Sequence, residues 1–163
     1  MSLRVIAHNI RSTYNVGAIL RSCDGFGVDM FYATGYTPYP TIPDDPRLPH
    51  ERVNTTKQIA KTALGAEQTV AVQHNDDIFE MMHELKEQGY SIVALEQSDT
   101  SILLNTYQPA PKLALLLGEE VHGIPPELLQ ECDVTLEIPM RGHKESFNVS
   151  VATGIALYAL TTT

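Results

Sequence analysis

Apolar residues in this chain gather in six short runs, separated by segments with helical spacing. The runs are continuous and partly β-branched, as is typical of strands buried on both faces of a sheet. We predict strands at Arg4–His8, Asp29–Ala33, Thr69–Gln73, Ser91–Leu95, Leu113–Leu117 and Thr135–Ile138. No run approaches the length of a membrane-spanning helix, so we expect no membrane segment.

The segments between the runs carry helical signals, such as the amphipathic spacing of Ile78, Phe79, Met82 and Leu85. We predict helices at Val16–Gly25, Thr56–Leu64, Ile78–Gly89, Pro125–Glu131 and Asn148–Leu160. Alternating strands and helices predict an α/β fold in which a parallel sheet carries helices on both faces. The length is ordinary for one domain, and we predict a single domain over residues 1–163.

One segment has neither periodicity. Gly35–Val53 contains five prolines, and a connection of that length within a compact domain is usually functional or disordered. Its arginines make it a candidate binding surface.

Polar turns follow two of the later predicted strands. Gly118-Glu119-Glu120 ends the run Leu113–Leu117, Pro139 lies just after the last strand, and Ser146-Phe147-Asn148 opens the final helix. Ligands of open α/β sheets bind outside the carboxyl ends of the strands. We therefore expect a small cofactor here, in a pocket walled by backbone amides and carbonyls.

The charge is unevenly distributed along the chain. The formal net charge of −9 argues against generic affinity for nucleic acid, which depends on cations. However, residues 1–61 hold seven of the 11 basic side chains and only five acidic ones. A polyanion could meet this first third, although solvated surface charge explains the pattern equally well. The histidines and the two cysteines lack metal-ligand spacing, so we expect no metal.

The string Asn9–Cys23 follows the first strand and opens the first helix. Asn15 is a good candidate for the N-cap, and Arg21 falls beyond the first helical turn. Taken alone, the string is typical of a capped helix whose arginine covers apolar surface.

Three blocks taken together resemble the motifs of SpoU-type (TrmH-like) RNA ribose 2′-O-methyltransferases, within the SPOUT superfamily. The first block matches the Asn-x-x-Ala-x-x-Arg core of that family. The second matches Leu-Gly-x-Glu-x-x-Gly, and the third matches Ile-Pro-Met-x-Gly followed by Ser-x-Asn-Val-Ser. The matching positions are Asn15, Ala18 and Arg21, then Leu117, Gly118, Glu120 and Gly123, then Ile138, Pro139, Met140, Gly142, Ser146, Asn148, Val149 and Ser150.

The resemblance implies a SPOUT-like fold whose C-terminal segment threads a loop to form a deep trefoil knot. It implies that the knot binds S-adenosyl-L-methionine and that the chain methylates a ribose 2′-hydroxyl of tRNA or rRNA. It also implies a homodimer with the last helix at the interface. The RNA-binding extensions of many relatives have no counterpart in this sequence, so we expect no separate RNA-binding domain. The two cysteines lie far apart and are typical of reduced thiols, so we expect a cytoplasmic location.

The resemblance also assigns roles to individual residues. Arg21 is the expected central catalytic residue, and Asn15, Glu120, Ser146 and Asn148 would position it or the ribose. Because arginine is essentially never deprotonated, we expect it to hold phosphate and stabilise the developing alkoxide. The implied cofactor contacts are Leu95, Glu96, Gly118, Glu119, Ile138, Pro139, Met140 and Phe147. The candidate RNA contacts are Arg11, Arg47, Arg52 and Lys57.

Two other functions remain open. The chain could be a catalytically inactive SPOUT-fold module that binds RNA or cofactor, although the Asn15/Arg21 pair favours the enzyme. A flavodoxin-like nucleotide-binding enzyme fits the alternation of elements but lacks a phosphate loop.

Overall fold

Seven parallel strands form one sheet at the centre of the molecule. The computed structural model describes residues 1–162. The strands are β1 Ser2–His8, β2 Met30–Thr34, β3 Val72–Asn75, β4 Ser91–Leu95, β5 Ile102–Leu103, β6 Lys112–Leu117 and β7 Val134–Glu137. Their order is β3-β2-β1-β6-β4-β7-β5, and each neighbouring pair is parallel.

Helices cover both faces of this sheet. They are α1 Thr13–Gly25, α2 Pro49–Ala63, α3 Ala66–Thr69, α4 Ile78–Glu87, α5 Pro126–Glu131 and α6 Val149–Thr162, with a short 3-10 helix at Leu104–Thr106. Within residues 1–162, each helix is too short or too polar to span a bilayer.

Successive side chains of a strand point to opposite faces of the sheet, so the central strands contribute to two separate hydrophobic cores. In β6, Leu113, Leu115 and Leu117 pack with α1 and α6, whereas Ala114 and Leu116 pack with α4 and α5. Burial on both faces explains why β6 reads as an unbroken apolar run. The predicted parallel α/β sheet with helices on both faces is confirmed.

Two predicted elements were misplaced. The third strand begins at Val72 instead of Thr69, because α3 precedes it. Gly65 takes a positive φ of 104° and donates its N–H to the Glu67 carboxylate at 2.9 Å, which starts that short helix. The Thr69 hydroxyl then donates to Asp24 Oδ1 at 2.6 Å.

The second helix begins at Pro49, seven residues before the predicted Thr56. Proline suits the first turn of a helix, and the Glu51 carboxylate accepts the Leu48 N–H at 3.3 Å. The irregular loop is therefore shorter than the predicted Gly35–Val53 and covers residues 35–48. The two-residue strand β5 was not predicted.

The C-terminal segment returns to the start of the chain, because α6 packs against α1. On its way, the Gln97 side chain after β4 donates to the Glu145 carbonyl at 2.8 Å. The predicted trefoil knot would lie in this region and stays a prediction.

Candidate active site at the carboxyl ends of the strands

Loops from β1, β4, β6 and β7 emerge at the same edge of the sheet, because all four strands are parallel and adjacent. This edge gathers residues 9–12, 96–97, 118–124 and 138–148. Each of the three motif blocks therefore begins or ends at this edge of the sheet.

Glu120 is the centre of a hydrogen-bonded network at this edge. Its carboxylate accepts the backbone N–H of Arg11 at 3.1 Å and that of Ser12 at 3.2 Å. It also accepts the side-chain amide of Asn15 at 3.0 Å. The loop after β6 is thereby fixed to the start of α1.

Asn15 connects this carboxylate to the start of the last helix. The Asn148 side-chain amide donates to Asn15 Oδ1 at 3.2 Å. Asn148 Oδ1 in turn accepts the Ser150 N–H at 2.9 Å and the Ser150 hydroxyl at 2.6 Å, so it caps α6. One chain of hydrogen bonds therefore joins all three motifs, and the first motif lies more than 100 positions from the other two in sequence.

The N-cap prediction for Asn15 was wrong. Ser12 caps α1, because its hydroxyl accepts the Asn15 N–H at 3.2 Å. Asn15 is the third residue of the helix, and its side chain points to Glu120 and Asn148 instead of to its own backbone. The sequence signal for this was present, since serine is as good an N-cap as asparagine.

The environment of Glu120 favours its ionised form. Partial burial raises the pKa of its carboxyl, but hydrogen bonds from the Arg11 backbone and the Asn15 side chain outweigh this. The pKa of Glu120 therefore lies below its ordinary value of 4.5. An ionised carboxylate keeps the Asn15 amide oriented with its oxygen towards Asn148.

Arg21 and Ser146 stand apart from this network. Both side chains are exposed, and within residues 1–162 neither forms a hydrogen bond or an ion pair. Arg21 lies six residues beyond Asn15, about 9 Å along α1 and about 120° around it. The structure thus brings Asn15, Glu120 and Asn148 together and leaves the Arg21 guanidinium open to solvent.

The predicted cofactor residues lie at the ends of three adjacent strands. Leu95 ends β4 and Glu96 follows it, Gly118 follows β6, and Ile138–Met140 follow β7. The Glu96 carboxylate supports the neighbouring turn, because Oε2 accepts the Ile124 N–H at 2.9 Å. A side chain on Gly123 would place its Cβ 2.0 Å from that oxygen, which excludes larger residues there.

Gly118 is required by its own turn. The resemblance places Gly118 at the cofactor, but a Cβ here would already lie 2.4 Å from the Gly123 carbonyl carbon of the same turn. The turn closes because the Glu119 N–H donates to Gly123 O at 3.2 Å and the Gly123 N–H donates back at 3.0 Å. Packing of the turn alone therefore accounts for this glycine.

Glu119 is fully engaged by the protein. In addition to the backbone bonds of the turn, its carboxylate accepts the Tyr36 hydroxyl at 2.9 Å. It also accepts the His122 N–H at 3.1 Å and contacts the imidazole Nδ1.

The segment before α6 is open. Residues 141–147 are exposed and Met140 is half-buried, and within the described chain Met140–Phe147 form no backbone-to-backbone hydrogen bonds. Apart from the Glu145 carbonyl, which accepts the Gln97 side chain, the amides and carbonyls of this segment have no hydrogen-bond partner among residues 1–162. Next to the ends of β4, β6 and β7, they supply the donors and acceptors that an adenosyl group needs. S-adenosyl-L-methionine therefore fits the residues present.

Among the candidate RNA contacts, Arg47 is used by the fold. Its guanidinium pairs with Asp45 at 2.6 Å, donates to the Tyr39 carbonyl at 2.8 Å and lies 3.7 Å from the Tyr39 ring centre. The Arg47 side chain is 18% exposed and that of Asp45 is fully buried. Hydrogen bonds from Arg47 hold the pKa of Asp45 well below its usual range.

The other three candidate RNA contacts differ in whether their side chains already bind other residues of the protein. Arg52 donates to the Asp45 carbonyl at 3.3 Å, so it also supports the loop. The side chains of Arg11 and Lys57 form no hydrogen bond or ion pair with residues 1–162, and both residues are exposed.

A cleft of about 560 Å³ lies beside the network. Asn15 and Glu120 line it together with Arg11, Ser12, Tyr36, Glu119, Val121 and His122. Sequence reasoning missed Ser12, Tyr36 and His122. Only the Ser-x-x-Asn spacing could have indicated Ser12, because the contacts of Tyr36 and His122 depend on tertiary structure.

The chain matches the model of the SpoU rRNA Methylase family over residues 44–158. The tRNA (guanosine(18)-2′-O)-methyltransferase of Aquifex aeolicus is 31% identical over 156 residues, covering 96% of this chain and 67% of that protein. The Saccharomyces cerevisiae protein of the same name is 32% identical over 162 residues, covering 98% of this chain but 10% of that protein.

Solved structures agree with this match. The crystal structure of the A. aeolicus TrmH/SpoU tRNA modifying enzyme has a TM-score of 0.79 at 29% identity, covering 97% of this chain and 73% of that one. The AdoMet-bound rRNA methyltransferase from Sinorhizobium meliloti has a TM-score of 0.80 at 24% identity, covering 97% and 55%, and supports the fold. This chain belongs to the SpoU rRNA methylase family.

Proposed function

We propose that this protein transfers a methyl group from S-adenosyl-L-methionine to a ribose 2′-hydroxyl of tRNA or rRNA. The supporting observation is the hydrogen-bonded chain from Glu120 through Asn15 to Asn148. A cap and a turn need no such connection between three separate motifs, whereas a ribose-positioning site does. The comparisons give no support to the inactive alternative.

The chemistry requires positioning and charge stabilisation. When bound, S-adenosyl-L-methionine supplies an activated methyl group, so holding the 2′-hydroxyl in line should supply much of the rate. Asn15 and Asn148 have fixed amides that can orient the ribose hydroxyls. The exposed guanidinium of Arg21 can hold a substrate phosphate and stabilise the alkoxide that develops as the proton leaves.

We place the adenosyl group against the ends of β4, β6 and β7. Leu95, Gly118 and Ile138–Met140 would contact it chiefly through backbone groups, with Phe147 packing beside it. Glu96 and Glu119 would act by shaping the turn between β6 and α5, since their carboxylates already accept hydrogen bonds from it. The trefoil knot would enclose this pocket.

The surface of α6 supports the proposed homodimer. Val151, Ile155 and Tyr158 are all exposed and recur at the spacing of one helical face. Contiguous exposed apolar patches commonly mark protein interfaces. Ser22 on α1 lies near Gly154 of α6, so the residue that follows Arg21 lies beside this helix. We expect Ile155→Asp to yield a monomer in sedimentation velocity, and an unchanged dimer would contradict the interface.

For RNA, the free cations Arg11 and Lys57 are the proposed contacts, and Arg47 is omitted because the fold already uses it. Phosphate contacts position an RNA without reading its sequence. A substrate of this class is consistent with a location in the cytoplasm.

The test is transfer of a radiolabelled methyl group from S-adenosyl-L-methionine to unfractionated tRNA and rRNA. Alkali cleaves RNA through the free 2′-hydroxyl, so ribose methylation leaves labelled dinucleotides that resist alkali. We expect the label in that fraction, with heat-inactivated protein as the control. Label on the bases, or no label in RNA, would overturn the proposal.

A further inference from the structure

Tyr36 has an exposed side chain, and hydrogen bonds fix both its backbone and its hydroxyl. Its N–H donates to Asn9 Oδ1 at 3.1 Å, and its hydroxyl donates to Glu119 Oε2 at 2.9 Å. The turn is tight, since Gly35 has a φ of +61° and a Cβ there would lie 1.8 Å from Asn9 Oδ1. The residue nevertheless remains 56% exposed.

The Glu119 carboxylate also holds a second ring. It accepts the backbone N–H of His122 and contacts the Nδ1 of the exposed imidazole. The hydrogen bond to Glu119 raises the pKa of Tyr36, so the phenol keeps its proton and remains a donor. With both carboxylate oxygens occupied, Glu119 acts as a positioning residue between two planar side chains.

Both rings face the cleft that Asn15 and Glu120 line. A cleft of about 560 Å³ lies within the ordinary range for small-ligand sites. The exposed Arg11 borders it as well, which adds a cation beside the two rings. No part of the proposed methyl transfer described above uses Tyr36 or His122.

We propose that Tyr36 and His122 form the stacking site for the nucleobase of the nucleotide whose ribose is methylated, an inference that rests on the proposed function. A base is bonded directly to its ribose, so a ribose held by Asn15 and Asn148 presents its base to the same cleft. Unpaired RNA bases stack on tyrosine and histidine rings. Fixing the ring of Tyr36 in advance lowers the entropy cost of that stacking.

The test compares Tyr36→Ala, Tyr36→Phe and Tyr14→Ala in filter binding of unfractionated tRNA, at about 50 mM and about 200 mM salt. Tyr14 is a matched control, because it is 52% exposed and does not line the cleft. We expect Tyr36→Ala to weaken binding about tenfold or more, the usual effect of losing a stacked base. Tyr36→Phe should recover most of that affinity, and Tyr14→Ala should bind like the wild type.

The salt dependence separates stacking from phosphate contact. Tyr36→Ala should shift affinity equally at both salt concentrations, whereas Arg11→Ala should reduce the slope of affinity against salt. Loss of binding in Tyr36→Ala with recovery in Tyr36→Phe supports the stacking site, whatever the methylation assay gives. Unchanged tRNA binding by Tyr36→Ala would overturn it, even if the wild-type protein methylates RNA.

Discussion

Two irregular segments of this molecule use their charges in opposite ways. In the loop of residues 35–48, Arg47 pairs with Asp45 two positions away and packs on Tyr39. In the turn between β6 and α5, Glu119 and Glu120 bind partners 83 and 105 positions away along the chain. Local pairing stabilises a loop, whereas distant pairing assembles a site.

The two regions also differ in what they leave exposed. The guanidinium of Arg47 is mostly covered, so it has little capacity left for a ligand. The network around Glu120 instead borders an open cleft, and its member Asn15 lies on the same helix as Arg21, whose side chain has no hydrogen bond or ion pair within residues 1–162. Charged residues that look equivalent in sequence therefore divide into those that stabilise a loop and those that border the candidate site.

The largest expected effect is that of Arg21→Ala on methyl transfer. Removing a group that stabilises developing negative charge typically lowers kcat about 100-fold or more. The affinity for S-adenosyl-L-methionine, measured by calorimetry, should change less than about twofold, because the proposed pocket lies at the strand ends. Arg21→Lys keeps the charge but loses the planar fork, so it should restore little. Full activity of Arg21→Ala would refute this role.

The network should respond as a unit. We expect Asn15→Ala and Glu120→Ala each to lower kcat about tenfold to 100-fold, because each leaves the other group misoriented. The double variant should be scarcely worse than either single one, since residues in one network are not additive. Single-turnover rates would measure this coupling, and simple additivity would show that the two residues act independently.

Arg47→Ala should affect stability and leave methylation largely intact. It leaves the buried Asp45 carboxylate unpaired, so we expect the free energy of unfolding to fall by about 2 kcal/mol. Urea unfolding measures this, and the KM for RNA below the transition should stay within about twofold. A large rise in the KM for RNA without a loss of stability would indicate that Arg47 contacts RNA.

The smallest effect concerns pH. Because the folded-state pKa of Glu120 lies below 4.5, its contribution to stability is present above that pH and is lost as pH falls through the folded-state pKa. Protonation of Asp45 also lowers the free energy of unfolding in acid. The effect of Glu120 is therefore measured as the difference in free energy of unfolding between the wild type and Glu120→Gln. We expect that difference, measured by urea unfolding at several pH values, to shrink below pH 4.5. A difference that stays constant with pH would show that ionisation of Glu120 does not stabilise the fold.

Much of the fold could be predicted from sequence, because buried parallel strands have a strong local signature. Ser91–Leu95 was placed at its observed bounds, and β6 differed by a single residue. The start of α2 was missed because five prolines made its first turn resemble the preceding loop. The pattern Leu-Pro-x-Glu at Leu48 is recognisable as a helix start only once the hydrogen bond from the Leu48 N–H to the Glu51 carboxylate is seen.

The candidate site could be predicted less completely. Motif similarity identified Asn15, Glu120 and Asn148, and the structure brings these three together. Asp45 and Arg47 are only two positions apart, but their pairing depends on an irregular loop whose conformation has no periodic sequence signal. No local pattern could show that Glu119 binds Tyr36 from another loop. Such contacts depend on where the sheet places chain segments that are distant in sequence.

A crystal structure with S-adenosylhomocysteine would test whether the cofactor pocket and the polar network adjoin. We expect the adenosyl group against the ends of β4, β6 and β7, with its sulfur facing the cleft lined by Asn15 and Glu120. A ligand bound elsewhere, or a sulfur turned away from that cleft, would contradict the proposed methyl transfer.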